Sequence, residues 1–129
     1  MAFLAKLSID DAEYMVLTFH MGLEQKLGIN GAPVQEPVGG KLTFEVESSS
    51  STDLFDWMVA PGKRKDGSIT FFRRDVMGQM KRLDFFDAVC YKYDENFMSE
   101  GNNAMTTKVS ISARKIQMED IPVENEWAV

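Results

Sequence analysis

One His and one Cys, His20 and Cys90, are the pair from which nucleophilic chemistry would have to be built. A thiol becomes reactive when a neighbouring base or a helix N-terminus lowers its pKa. His20 falls on the polar side of an alternating segment, and Cys90 sits mid-strand beside Ala88, in no Gly-rich elbow. Both read as structural residues. Asp84 and Asp87 stand three apart, which in a strand sends them to opposite faces, so they do not suggest an acid–base pair. The run Ser48-Ser49-Ser50-Ser51-Thr52-Asp53 precedes Leu54-Phe55-Asp56-Trp57-Met58. Helix capping explains those hydroxyls better than a nucleophile or a phosphorylation cluster. Gly28, Gly31, Gly39 and Gly40 fit neither the dinucleotide fingerprint nor a phosphate loop. A lone Cys excludes an intramolecular disulfide and every multi-Cys zinc motif. No catalytic residue, cofactor site or metal site is expected, and an enzyme is not the reading.

The elements that would position any function are mostly strands. Period-two alternation collects Phe3, Ala5, Leu7 and Ile9 on one face. Asp10-Asp11 is a tight turn. Met15, Leu17, Phe19, Met21 and Leu23 then share a face, opposite Tyr14, Val16, Thr18 and His20. Leu42, Phe44 and Val46 alternate with Lys41, Thr43, Glu45 and Glu47. Ile69 and Phe71 follow a turn expected at Asp66-Gly67. Leu83, Phe85, Val89, Tyr91 and Tyr93 form a fifth set, and Val109, Ile111 and Ala113 a sixth. One short helix interrupts them. Leu54, Trp57 and Met58 recur at helical spacing and predict packing on the sheet. Asp53 and Asp56 suit its N-terminal dipole, and Pro61-Gly62 stops it. Residues 27–40 and 94–104 are predicted as long loops from their Gly, Pro and Asn content. Loops that long usually bind something. The fold class is therefore all-β and mainly antiparallel: one domain over residues 1–129, a small barrel with one short lateral α-helix and long extended loops.

Composition sets the outer bounds. The 129 residues suffice for one domain with its own core. A formal charge of −6 argues against a general nucleic-acid binder. The opening Met1 to Asp11 has no basic region, a short apolar stretch and two acids, so neither a signal peptide nor membrane insertion is expected. The basic groups Lys63-Arg64-Lys65, Arg73-Arg74 and Lys81-Arg82 flank connections, where they could meet acidic patches on another copy. Met77, Met80, Met98 and Met105 fall in or near connections and suit an adaptable interface as readily as a core.

Taken in order, the segments resemble one family. They are Phe3 to Leu7; Glu13-Tyr14 with Val16-Leu17; Gly39-Gly40 with Leu42 and Phe44-Glu45-Val46-Glu47-Ser48; and Leu54-Phe55-Asp56-Trp57-Met58. Gly67-Ser68-Ile69-Thr70-Phe71, Arg74-Asp75, Met105-Thr106-Thr107, Ser112-Ala113-Arg114-Lys115-Ile116 and Glu124-Asn125-Glu126-Trp127 complete the set. The chain resembles the tube-forming Hcp proteins of type VI secretion, in particular the TssD branch, over essentially its whole length. Residues 27–38 and 75–80 depart most from the family pattern. The resemblance implies hexameric rings stacked into a hollow tube inside a contractile sheath. It implies sheath, spike, baseplate and effector proteins as partners, and no reaction catalysed by the tube. It also implies a protein made in the cytoplasm and exported through the apparatus without a signal peptide.

A ring of identical subunits needs heterologous contacts, one patch meeting a different patch on the next copy. Residues 27–40 are the best candidate segment, and Val34, Gln35, Glu36, Pro37 and Val38 are expected to touch the neighbour. Pro33 and Pro37 stiffen the segment and lower the entropy lost on docking. Two alternatives stand beside this reading. One is a monomeric barrel binding a small apolar ligand in an interior lined by Phe, Tyr and Trp; the other is a phage-tail-tube-like subunit.

Overall fold

A computed structural model describes residues 3–35, 38–75, 78–101 and 104–125. Its strands are β1 (Phe3–Ile9), β2 (Ala12–Met21), β3 (Lys41–Glu47), β4 (Lys65–Arg73), β5 (Gln79–Phe97), β6 (Met105–Met118) and β7 (Ile121–Glu124), with α1 (Asp53–Val59) between β3 and β4. The sheet order is β3-β2-β1-β4-β5-β6-β7, and a further pairing of β3 with β6 closes six strands into an antiparallel barrel. Closure matters because it leaves those strands no long free edge.

Local chemistry explains the connections. Asp10 and Asp11 both take positive φ, 49° and 65°, the left-handed pair a two-residue hairpin turn demands. They join β1 to β2 in the register Ile9 to Ala12. In α1, Leu54 and Trp57 are buried and Met58 packs against the core. The Trp57 indole N–H donates to the Lys63 carbonyl at 2.9 Å, tying the helix to the connection that leads into β4. Capping differs from the expectation in detail. Thr52 is the N-cap and makes no side-chain cap bond; the hydroxyl of Ser51 instead accepts the N–H of Asp53 at 3.2 Å.

Core faces follow the alternation in β1, β3 and β6. Leu7, Leu42, Phe44, Val46, Val109, Ile111 and Ala113 are fully buried. In β2 the expected face is wrong before a register shift and right after it, and in β5 it is wrong between two such shifts, for one physical reason. A bulge puts an extra residue into one strand, and every later side chain swaps face. In β2 the register shifts between Val16 and Thr18. Tyr14 and Val16 are buried before it, and Phe19 and Met21 pack on the core after it; Met15 and Leu17 stay on the opposite face. In β5 one irregularity lies at Asp87, whose φ is 53°, and a second between Cys90 and Lys92. Leu83, Phe85, Ala88 and Cys90 therefore form the buried set, and Tyr93 packs on it. Val89 is only half-buried and Tyr91 is exposed.

Two further expectations are corrected. Asp66-Gly67 lies inside β4 rather than in a turn, with the Asp66 carboxylate accepting the backbone N–H of Asp87 and so stabilising the bulge opposite. The predicted loop over 94–104 begins later than expected, because Asp94 to Phe97 continue β5 against Lys108 to Met105. Strand β7 was not foreseen from sequence at all. Long side chains fill the barrel: Phe44, Phe85, Leu7, Leu42, Ile69, Leu83 and Ile111 are each among its largest fully buried residues. A barrel filled by its own side chains gives the ligand-binding alternative no support.

Candidate assembly surfaces

The segment between β2 and β3 projects from the barrel as an arm. Its two sides pair through bridges Glu24–Val38 and Leu27–Pro33. Glu24 and Val38 exchange both backbone hydrogen bonds, at 3.0 and 2.8 Å, and the Val34 N–H donates to Lys26 at 2.9 Å. The tip turns through Gly28, whose N–H donates to Ala32 at 2.8 Å, and the Asn30 side chain accepts the Ala32 N–H at 3.0 Å. Residues 24–35 and 38 thus form a hairpin-like arm, not an unpatterned loop.

The arm carries apolar side chains that the described residues leave exposed in whole or in part. Leu27 and Val34 are 59% and 60% exposed, Ile29 is fully exposed, and Leu23 and Val38 are exposed in part. Of the sequence-expected contact residues, Val34, Gln35 and Val38 are on this surface; Glu36 and Pro37 lie outside the described residues. The sequence reading missed Leu23, Leu27 and Ile29. The signal available for Ile29 was its setting: a large aliphatic residue between Gly28 and Asn30, in a turn with no interior to bury it.

A second surface lies where β1 and β2 part company. Their pairing runs only from Ile9–Ala12 to Ala5–Val16, and past the bulge β2 continues against β3. The seam opens into a groove lined by Phe3, Leu17, Phe19, Phe71 and Arg74 among others, with the Phe19 and Phe71 rings 5.7 Å apart. The β5–β6 hairpin adds exposed Phe97, Met98 and Met105 at its far end.

The residues that first suggested chemistry are dispersed. His20 lines a cleft at the base of the arm with Gly22, Leu23, Glu24 and Lys41. Cys90 is buried elsewhere, with its sulfur 3.7 Å from the Met58 sulfur and its thiol directed at the Lys92 carbonyl. Burial pushes that thiol's pKa up, the reverse of activation. Asp84 accepts from Arg82 Nε at 3.0 Å and Asp87 from Arg114 Nε at 2.8 Å. Among the described residues no cluster of His, Cys, Asp and Glu is placed to hold a metal. The basic groups expected to reach another copy are largely spent within the chain. Lys63 pairs with Asp56, Lys65 with Asp10, Arg73 with Asp75 and Arg82 with Asp84.

Exposed apolar residues on the arm and the groove at the β1–β2 seam are surfaces that another protein could cover. The chain matches the family described as hemolysin coregulated protein Hcp (TssD) over residues 1–128. It belongs to that family. The Hcp family comprises structural tube proteins of the type VI secretion system, and this chain is such a tube subunit. The structure of Hcp1 from Flavobacterium johnsoniae is 39% identical, with 95% of this chain and 99% of that one covered and a TM-score of 0.87. The crystal structure of Hcp1 from Salmonella typhimurium shares the fold at 18% identity, covering 92% of this chain and 86% of that one, with a TM-score of 0.75. A baseplate structure of the anti-feeding prophage shares it more distantly, at 11% identity, 93% coverage of each chain and a TM-score of 0.52. Comparison with curated proteins found no match. Within the Hcp family, the resemblance carried by Gly39-Gly40 and by Glu124-Asn125 has a structural meaning: these two segments meet at the base of the arm. Among the described residues no helix is long and apolar enough to cross a membrane.

Proposed function

We propose that the chain closes into hexameric rings that stack into the hollow inner tube of a type VI apparatus, with the arm supplying a contact between subunits. The observation that carries this is the row of uncovered apolar residues Leu23, Leu27, Ile29 and Val34 on an arm that holds its shape through its own backbone bonds. A preformed arm loses little conformational entropy on docking. Because it leaves one side of the barrel, its contact is heterologous and can repeat from copy to copy. Val34, Gln35, Glu36, Pro37 and Val38 remain the proposed touching residues, joined now by Leu27 and Ile29. On this reading the protein is made in the cytoplasm, a contractile sheath surrounds the tube, spike and baseplate proteins bound its ends, and small effectors travel in its lumen.

Deleting residues 30–37 tests the arm. The barrel lies outside the deletion, so circular dichroism and the thermal midpoint should stay close to those of the intact chain, while stacked tubes in negative-stain images should shorten or vanish. Normal tubes from the deleted chain would overturn the assignment of the arm.

A further inference from the structure

Asn125 lies one residue beyond β7, and its carboxamide reaches the base of the arm. Oδ1 accepts the Gly39 N–H at 3.4 Å. Nδ2 donates to the Gly39 carbonyl and to the Ala113 carbonyl at 3.2 Å. Taking both the N–H and the C=O of one residue is what a facing strand does in an antiparallel ladder. The side chain thus continues the sheet onto Gly39, where main-chain pairing has given out. Around it the backbone is fixed: the Asn125 N–H donates to Arg114 and the Ala113 N–H to Gly40, both at 2.7 Å. Arg114 in turn bonds Glu124 of β7 at 2.6 Å and Asp87 of β5.

Two details indicate that this contact is built in. Gly40 has φ +107°, and a Cβ there would lie 2.6 Å from Asn125 Nδ2 and 2.4 Å from the Ala113 oxygen, so the glycine leaves room for the carboxamide. The side chain must also combine a donor and an acceptor at this reach. Asp has the reach and lacks the donor; Gln has the groups on a longer stem. The arm's own bridges hold its two sides together but do not fix its direction relative to the barrel. We propose that Asn125 is a positioning residue, a brace that sets the direction in which the arm leaves the barrel and so makes it competent for assembly. The inference rests on the reading of the arm as a contact between subunits.

The test uses the full chain, Asn125→Ala, Asn125→Asp and an arm-tip double variant, Ile29→Ser with Val34→Ser, which leaves the brace intact. Hydrogen exchange reads the brace, and negative-stain tube length reads assembly. In Asn125→Ala, exchange at Gly39 and Val38 should rise severalfold with β3 amides unchanged, and tubes should shorten. Asn125→Asp should be worse at neutral pH, because a carboxylate then faces the Gly39 and Ala113 carbonyls. It should recover in part as acid protonates it and restores a donor, a response that simple loss of packing would not give. Unchanged Gly39 exchange in Asn125→Ala overturns the brace. Faster exchange with normal tubes, alongside a tip variant that cannot stack, overturns its role in assembly. Normal tubes from the tip variant overturn the reading of the arm instead, and the brace is then judged on the Gly39 exchange alone.

Discussion

The Tyr93 phenol donates to Glu95 Oε1 at 2.5 Å, and its ring stands edge-on to Phe55 of α1, 5.6 Å between centroids. Burial is the largest influence on its titration, followed by the hydrogen bond and charge of Glu95, and together they push its pKa from the ordinary 10.0 up to about 12. All three oppose the phenolate. The sign follows by linkage: the folded chain holds this proton more tightly than the unfolded one, so the contribution is fully present below pH 10 and is lost as pH rises toward 12. Stability of the intact chain should therefore fall across that window more steeply than that of Tyr93→Phe, which cannot ionise there. Urea midpoints of the two proteins at stepped pH check this. Lysines and arginines titrate in both and cancel in the difference. Parallel curves would mean that the phenol is solvated and its bond to Glu95 immaterial.

Among the elements, the junctions determine what the strands can do. Gly40 enters β3 at φ +107° with the Ala113 carbonyl where a Cβ would sit, whereas Gly62, after α1, has φ +65° and open space around it. Gly62→Ala should cost about 1–2 kcal/mol, the ordinary left-handed penalty. Gly40→Ala should cost more, roughly 3 kcal/mol or above, because backbone strain of about 1–3 kcal/mol is joined by a collision with backbone that cannot swing away. Chemical denaturation of both variants gives the comparison, and equal costs would mean that the β3–β6 junction yields easily. The same junctions explain what could be read in the sequence. Leu42, Phe44 and Val46 in β3 and Val109, Ile111 and Ala113 in β6 were legible because no extra residue interrupts their alternation. In β2 and β5 the alternation is equally clean to the eye, but bulges after Val16 and at Asp87 reset it. The bulge at Asp87 is held by partners distant in the chain, Asp66 and Arg114. Strand β7 was hidden by its four-residue length and by Pro122. The arm was legible as a candidate contact from its Gly and Pro spacing. Its brace was not, since Asn125 meets Gly39 across 86 residues of sequence.

For the whole molecule, the question is which force brings like-charged copies together. Each carries −6, and in the proposed ring repetition multiplies that repulsion. Of the basic side chains that could answer it across a subunit boundary, Lys63, Lys65, Arg73 and Arg82 each bond an acid of their own chain. The arm exposes the apolar Leu27, Ile29 and Val34 beside the polar Glu24, Gln25, Lys26 and Asn30. Salt separates the two possibilities. Screening shrinks from about 30 Å at 0.01 M to about 10 Å at 0.1 M, which relieves repulsion between whole subunits while leaving apolar contact intact. Assembly measured by sedimentation or light scattering should therefore increase as salt is raised over that range, and the arm-tip variant should remain poorly assembled at both ends of it. If ion pairs between copies carried the ring, the same titration would run the other way, with tubes dissolving as salt is added.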